Sequence, residues 1–252
     1  MVNSPINAMS YLNRGARLIF TPQLRWFVLI PVLINLVLFV AITYLLVLQF
    51  GAAMDWLLGT LPSWLDFLAW ILWVVFAALV LVIYGYSFSL ITHIIAAPFY
   101  GFLAEKTEIL VRGQGPAPES FAHMIPRTLG REMVKLWYFT LRGVGLLILM
   151  LALSFVPLVN VMVPVIGFLW GAWCMAIQYV DYPADNNQLT FAETRQRLWK
   201  RKLSSFSLGG LVMLGSMIPL VNIFIMPIAV TAGTLFWLEE LEQPPTNPVR
   251  RP

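Results

Sequence analysis

Charged side chains cut this chain into four long uncharged runs, 26–54, 67–104, 143–180 and 203–238, and any fold must find an apolar place for all of them. A helix needs about 20 apolar residues to cross roughly 30 Å of hydrocarbon, so each run is long enough to enter a bilayer. Composition agrees: 60% of the 252 residues are hydrophobic and 11% are charged, where a soluble surface needs about a quarter. The expected class is an all-α integral membrane protein. A nucleic-acid binder or a soluble enzyme is not expected, because basic loops beside apolar spans already account for the net charge of +4. The single cysteine, Cys174, lies inside an apolar run, which rules out an internal disulfide and a Cys-based metal site and leaves it a packing role.

The runs are of two kinds. The first makes one span over 22–50, and the second, free of proline until Pro98, reads as one overlong helix over 65–104. The third and fourth are broken by Pro157 and Pro164 and by Pro219 and Pro227. They also share a motif: Val-Pro-Leu-Val-Asn at 156–160 recurs as Ile-Pro-Leu-Val-Asn at 218–222. Halving these runs leaves arms shorter than a comfortable crossing, so they are expected to be helical hairpins at 143–180 and 203–238, fully or partly penetrating.

Charge placement tests this independently. Arg14, Arg17 and Arg25 precede the first span, whereas 50–66 carries Asp55 and Asp66 and no Lys or Arg, which places the N-terminus in the cytoplasm. The segments 105–142 and 181–202 and the tail 239–252 are basic or end in Arg250 and Arg251, so both broken runs should start and finish on that side. Their Pro-Leu-Val-Asn corners then point into or across the membrane, where backbone must be covered by protein or line a cavity. Paired discontinuous segments of this kind mark transport sites. Residues 1–20 have no continuous apolar stretch of the signal-peptide type, and the N-terminus is expected to be retained. The whole chain, 1–252, reads as a single membrane domain.

Several short segments could carry chemistry. Residues 4–21 read as an amphipathic interfacial helix starting at Ser4-Pro5, with Ile6, Met9, Leu12, Ala16 and Ile19 on one face and Arg14 and Arg17 on the other, facing lipid phosphates or an attracted substrate. Thr21-Pro22-Gln23-Leu24-Arg25-Trp26 opens the first span with Thr21 as N-cap and Pro22 at the first helical position. A helix start offers unpaired N–H groups, and the Arg25 guanidinium adds a fork for tetrahedral oxygens. Arginine with tryptophan also serves as an interfacial anchor, but a cation at a helix N-terminus opposes the dipole, and anchoring gives no reason to put it there. Arg127, Arg131 and Lys135 form a stripe at i, i+4 and i+8, with Glu132 expected to face elsewhere and Glu105 and Glu108 upstream; the stripe is either a solvated face or an anion-attracting funnel. Arg142 should snorkel. Asp181 to Asn187 lacks EF-hand spacing and reads as a structured turn, and Thr190 with Glu193 forms a capping box. Asn160 and Asn222, at the two corners, serve as caps or as substrate contacts. No ATP-binding, nucleophile-elbow or zinc motif is present, and no cofactor or metal is expected.

Four of these segments, in order, resemble the bacterial CysZ sulfate transporter family. Thr21-Pro22-Gln23-Leu24-Arg25-Trp26-Phe27 looks like the family's Pro-x-x-Arg turn, and Ala96-Ala97-Pro98-Phe99-Tyr100-Gly101 like its Ala-Ala-Pro-Phe-x-Gly signature. Ala176 to Pro183 and Ile218 to Asn222 complete the set. The resemblance implies sulfate uptake across the bacterial inner membrane for cysteine biosynthesis, by a fold of two long transmembrane helices plus two hemi-penetrating hairpins. It implies Arg25 as chief sulfate ligand, in the turn that starts at Pro22, with the backbone amides of Gln23 and Leu24 beside it. The family often has a glycine and a second arginine here; this chain has Gln23 and Trp26 instead.

Two full spans and two short hairpins can hardly screen a polar path alone, so a homo-oligomer is expected. Sulfite or related oxyanions are further candidate substrates. Two rivals belong to other classes: a membrane-embedded enzyme, for which His93 is the titratable candidate, and a scaffold or insertion factor without transport activity.

Overall fold

The computed structural model describes residues 6–60 and 69–242, all of whose regular structure is helical. The expected helix start at Ser4-Pro5, Asp66 and most of the tail lie outside the described residues, as do the side chains of Ile6 and His93. Eight α-helices follow in order: α1 (Ile6–Ile19), α2 (Arg25–Gly59), α3 (Ala69–Arg112), α4 (Phe121–Ser154), α5 (Val163–Asn186), α6 (Phe191–Lys200), α7 (Lys202–Ser216) and α8 (Pro219–Phe236). A short 3-10 turn precedes α5, and a π-helical turn, Trp237–Leu241, extends α8. Among the described residues four stretches are long and apolar enough to cross a membrane: Arg25–Ala53, Phe121–Ser154, Asn160–Asn186 and Phe224–Leu241.

The chain divides into two compact units. Residues 29–96 hold most of α2 and α3, whose apolar side chains face outward; Val37, for example, is 66% exposed. Inside this unit Thr43 Oγ1 and Tyr84 OH share a 2.7 Å hydrogen bond, and Phe50 meets the edge of Trp73. α3 is one helix of 44 residues that continues through Pro98 and, beyond the expected end at 104, to Arg112.

The other unit contains α1 and α4 to α8, with α5 against α7 and α8, and α1 against α8. Small residues set these seams. A Cβ on Gly209 would collide with the Ala172 carbonyl oxygen, and one on Gly15 would sit 2.7 Å from Thr231 Oγ1 and 2.9 Å from the Ile228 carbonyl oxygen. Helices that cannot gain from hydrophobicity inside lipid gain from such close approach. This also corrects the expected face of α1. Ala8, Tyr11, Leu12, Gly15 and Ile19 are buried, whereas Met9 is 49% exposed, because Gly15 brings the helix onto α8 and turns a different stripe inward.

In each broken run two helices pack against one another, α4 with α5 and α7 with α8. The repeated motif takes two backbones. Pro157-Leu158 turns, with Leu158 at φ 71°, while Pro219-Leu220 begins α8 directly. One bond is shared: the Asn160 N–H donates to the Val156 carbonyl at 3.1 Å, and the Asn222 N–H to that of Ile218 at 2.8 Å. Neither asparagine caps a helix, since the cap positions fall at Val159 and Ile218 and Asn222 is already in the first turns of α8. Arm length also differs from expectation. α4 has 34 residues and α5 has 24, because each arm continues into the polar segment beside it, while α7 with 15 is shorter than a crossing. The uncharged part of α4, 143–154, covers only about 18 Å.

Candidate functional site

The turn between α1 and α2 carries the first candidate site. Thr21 ends α1: its N–H and hydroxyl both donate to the Leu18 carbonyl oxygen, at 3.0 and 2.7 Å. Its own carbonyl accepts from the N–H groups of Leu24, at 3.1 Å, and Arg25, at 3.0 Å. Thr21 is therefore not the side-chain cap expected, and α2 starts at Arg25 rather than at Pro22. Leu24 is fully buried and anchors the turn, and its amide is already committed to Thr21. Pro22 and Gln23 are exposed; Pro22 has no N–H to offer, and the Gln23 N–H has no acceptor among the described residues. Arg25 is exposed, forms no ion pair among the described residues, and lies over the Trp26 ring at 5.6 Å. Arg17, in the last turn of α1, is likewise exposed and has no carboxylate partner among the described residues. A forked cation, a free amide and a second cation thus flank one turn, the donor set an oxyanion takes.

Arg14 has a different fate. It pairs with Glu239 of the π-helical turn at 2.7 Å, while the neighbouring Glu240 accepts hydrogen bonds from Tyr11 at 3.0 Å and Ser204 at 3.2 Å. That carboxylate cluster ties the chain end to α1 and α7.

The basic stripe of α4 is neither a solvated face nor a set of free cations. Arg131 is held by Asp181 of α5 through two bonds, Nε to Oδ2 at 3.0 Å and Nη2 to Oδ1 at 2.7 Å, and also reaches Thr194 Oγ1 at 3.2 Å. Lys135, 1% exposed, donates to Glu132 at 2.6 Å, lies 3.6 Å from Asp181 and points at the Tyr182 ring. Gln178 donates to Glu132 at 3.3 Å and to Tyr182 OH at 3.0 Å. Two cations and two carboxylates, all largely buried, neutralise one another. Arg127 pairs with Glu119 at 2.7 Å and with the Asp185 carboxylate, and donates to the Asp185 carbonyl at 2.7 Å.

Sequence reasoning missed this cluster because it treated Glu132 as facing elsewhere and 181–187 as a turn. An i+4 stripe drifts around the helix by about 40° per step, which brings Lys135 to within about 60° of Glu132. The legible signal was the matched spacing: Arg127 and Arg131 lie four apart on α4, and Asp181 and Asp185 lie four apart on α5, near its C-terminus, where negative charge opposes the dipole and needs a partner. The capping box of α6 is as expected, with Thr190 N–H donating to Glu193 at 2.9 Å.

Glu105 bonds to its neighbour Lys106 at 3.1 Å and lines a cavity of about 330 Å³ with Glu119, Met124, Arg127 and Asn186. With two carboxylates and an already paired arginine, that cavity does not suit a dianion. Asn160 and Asn222 are exposed at their corners. The expected cationic site residues therefore separate into Arg17 and Arg25, without ion pairs among the described residues, and Arg14, Arg127 and Arg131, held by carboxylates.

Residues 11–227 match the family model described as sulfate transporter CysZ/etoposide-induced protein 2.4. The chain is 47% identical to the protein named sulfate transporter CysZ of Pseudomonas fluorescens strain Pf0-1 over 239 residues, 93% of this chain and 94% of that one. It is 47% identical to the one of Pseudomonas syringae pv. tomato over 234 residues, 91% of both chains, and 45% identical to the one of Pseudomonas aeruginosa strain LESB58 over 239 residues, 93% and 96%. This chain belongs to the CysZ family. It is a multi-pass membrane protein, and the relatives it resembles are named as transporters. Two of the segments that resemble the family are seams of the fold. In Ala96 to Glu105, Ala97, Leu103 and Ala104 are fully buried, and the Gly101 carbonyl accepts from Asn186 of α5 at 2.7 Å. Ala176 to Pro183 is buried throughout and carries Asp181.

Proposed function

We propose that this chain takes up sulfate across the bacterial inner membrane, supplying sulfur for cysteine biosynthesis. The observation that carries the reading is identity of 45 to 47% over more than nine-tenths of the chain with proteins named sulfate transporters. Both termini are assigned to the cytoplasm, where the Lys and Arg of 105–142 and 181–202 also lie, and the hairpins re-enter from that side. Arg25 is the chief sulfate ligand, with the Gln23 amide beside it, Pro22 and buried Leu24 fixing the turn, and Arg17 raising the local anion concentration. A guanidinium that has no carboxylate to compete with gives its full fork to a dianion. Arg14, Arg127 and Arg131 are engaged by carboxylates and hold the fold together rather than binding the anion. The apolar outer faces, and the difficulty of screening a polar path from lipid with a single chain, favour a homo-oligomer, and sulfite and related oxyanions share the geometry that Arg25 reads.

The test is equilibrium binding of labelled sulfate to purified protein, followed by uptake into proteoliposomes, for wild type and Arg25→Ala, with chloride and phosphate as competitors. Saturable binding that falls at least tenfold in the variant, with uptake reduced in parallel, is expected. Wild-type protein that neither binds nor moves sulfate would return the reading to a scaffold or insertion factor, and binding unchanged in the variant would remove Arg25.

A further inference from the structure

Three cations on α4 are neutralised by carboxylates, but the next one along the same helix is not. Tyr138 and Arg142, four apart, share a face of α4, while Phe191 and Arg195, four apart, share a face of α6. The Arg195 guanidinium carbon lies 4.5 Å from the centre of the Tyr138 ring and 4.9 Å from that of Phe191, and that of Arg142 lies 5.8 Å from Tyr138. Tyr138 is held in place by its neighbours: its ring meets Phe191 edge-on at 5.4 Å, and its hydroxyl accepts from Trp173 Nε1 at 3.3 Å. Among the described residues neither arginine forms an ion pair. Arg195 Nε is buried and has no hydrogen-bond acceptor among the described residues. A buried donor left without a partner is costly, and the cost disappears when an acceptor binds.

Two guanidinium groups set against one ring can place forks toward a tetrahedral oxyanion. The surroundings say which. Arg142 is the last charge before the uncharged stretch 143–154, and exposed tryptophans, Trp137 and Trp199, stand near these positions in sequence as they do at the level of lipid headgroups. Lys200 and Lys202 add positive charge beside Trp199, with Lys202 Nζ 6.0 Å from its ring centre. We propose that Arg142 and Arg195, held against Tyr138, form a binding site for the phosphate of an anionic phospholipid headgroup. The site uses none of the residues assigned above to sulfate, and it does not depend on which anion the protein carries.

The experiment uses the full chain in neutral detergent, titrated with phosphatidylglycerol or phosphatidylcholine and read by thermal unfolding and by native mass spectrometry of retained lipid. Wild type is expected to gain thermal stability and to retain phosphatidylglycerol in preference to phosphatidylcholine. The Arg142→Gln, Arg195→Gln double variant should bind phosphatidylglycerol at least tenfold more weakly, with sulfate binding unchanged. Arg142→Gln alone, at an exposed position that does not hold the fold, should weaken lipid binding severalfold, and keeps the test decisive if the double variant unfolds. Equal retention of phosphatidylglycerol by Arg142→Gln and wild type would overturn the proposal. So would displacement of the lipid by millimolar inorganic sulfate or phosphate, which would make this a site for a free anion.

Discussion

Arg25 and Arg131 are the same side chain, both proposed above to lie toward the cytoplasm, in opposite electrostatic settings. Arg131 is gripped by the Asp181 carboxylate in a two-bond fork and closed in by Thr194 and Phe191. Arg25 is exposed, stacked loosely on Trp26, and has no carboxylate among the described residues. The positive-inside bias accounts for both and distinguishes neither. What separates them is which helix each one meets: α5 brings carboxylates to α4, and none of the described residues brings one to the start of α2. A paired arginine holds structure, and an unpaired one is free to hold a ligand.

The comparison can be broken most strongly at its buried end. Asp181→Ala strands Arg131 and leaves Lys135 with Glu132 alone, and should cost about 3–5 kcal/mol in thermal or denaturant unfolding of the detergent-solubilised protein. Arg25→Ala, by contrast, should leave stability within about 0.5 kcal/mol of wild type. Exchanging the pair, Arg131→Asp with Asp181→Arg, should recover part of the loss, a coupling of about 1–3 kcal/mol in a double-mutant cycle; no recovery would mean that Lys135 and Glu132 carry the cluster. At the exposed end, Arg25→Lys retains charge but loses the planar fork, and sulfate binding should weaken by about tenfold, or about 1.4 kcal/mol, in the same isotherm. Trp26→Ala removes only the stacking surface and should cost about 0.5–1 kcal/mol of sulfate affinity.

The smallest effect is a pH dependence. Hydrogen bonds from Arg127 hold the Glu119 carboxyl below its ordinary range. A carboxyl with a depressed folded pKa contributes stability that is complete above its unfolded value, about 4.3, and is lost as pH falls through the lower folded value. Wild type should therefore lose slightly more stability than Glu119→Gln on acidification from pH 6 to pH 3, and parallel curves would show that the pair contributes nothing.

A large part of the fold was legible because it rests on local rules. The four uncharged runs, the breaks at Pro157 and Pro219, and the Thr190–Glu193 box each follow from hydropathy, a missing N–H or a side-chain cap, and each is present. The site was legible only in part. The Arg25 turn was marked by its sequence, but the roles of Thr21 and of the Leu24 amide were not, since their carbonyl and N–H partners depend on where α1 stops. The α4 cluster escaped because a stripe of cations looks the same whether it faces water or the carboxylates of another helix.

The sequence by itself determined that this chain is helical, that it enters a membrane and where its helices break, because hydrophobic length, charge bias and proline act over a few residues at a time. Only the tertiary structure decided which cations are spent. It set Arg14 on Glu239, Arg127 on Glu119 and Asp185, and Arg131 and Lys135 on Asp181, and left Arg17, Arg25, Arg142 and Arg195 without ion-pair partners among the described residues. It also gave one repeated motif two conformations, with Leu158 at positive φ and Leu220 inside a helix. Both outcomes depend on contacts between segments far apart in the chain, where a side chain's partner is fixed by how helices pack and not by its neighbours in sequence.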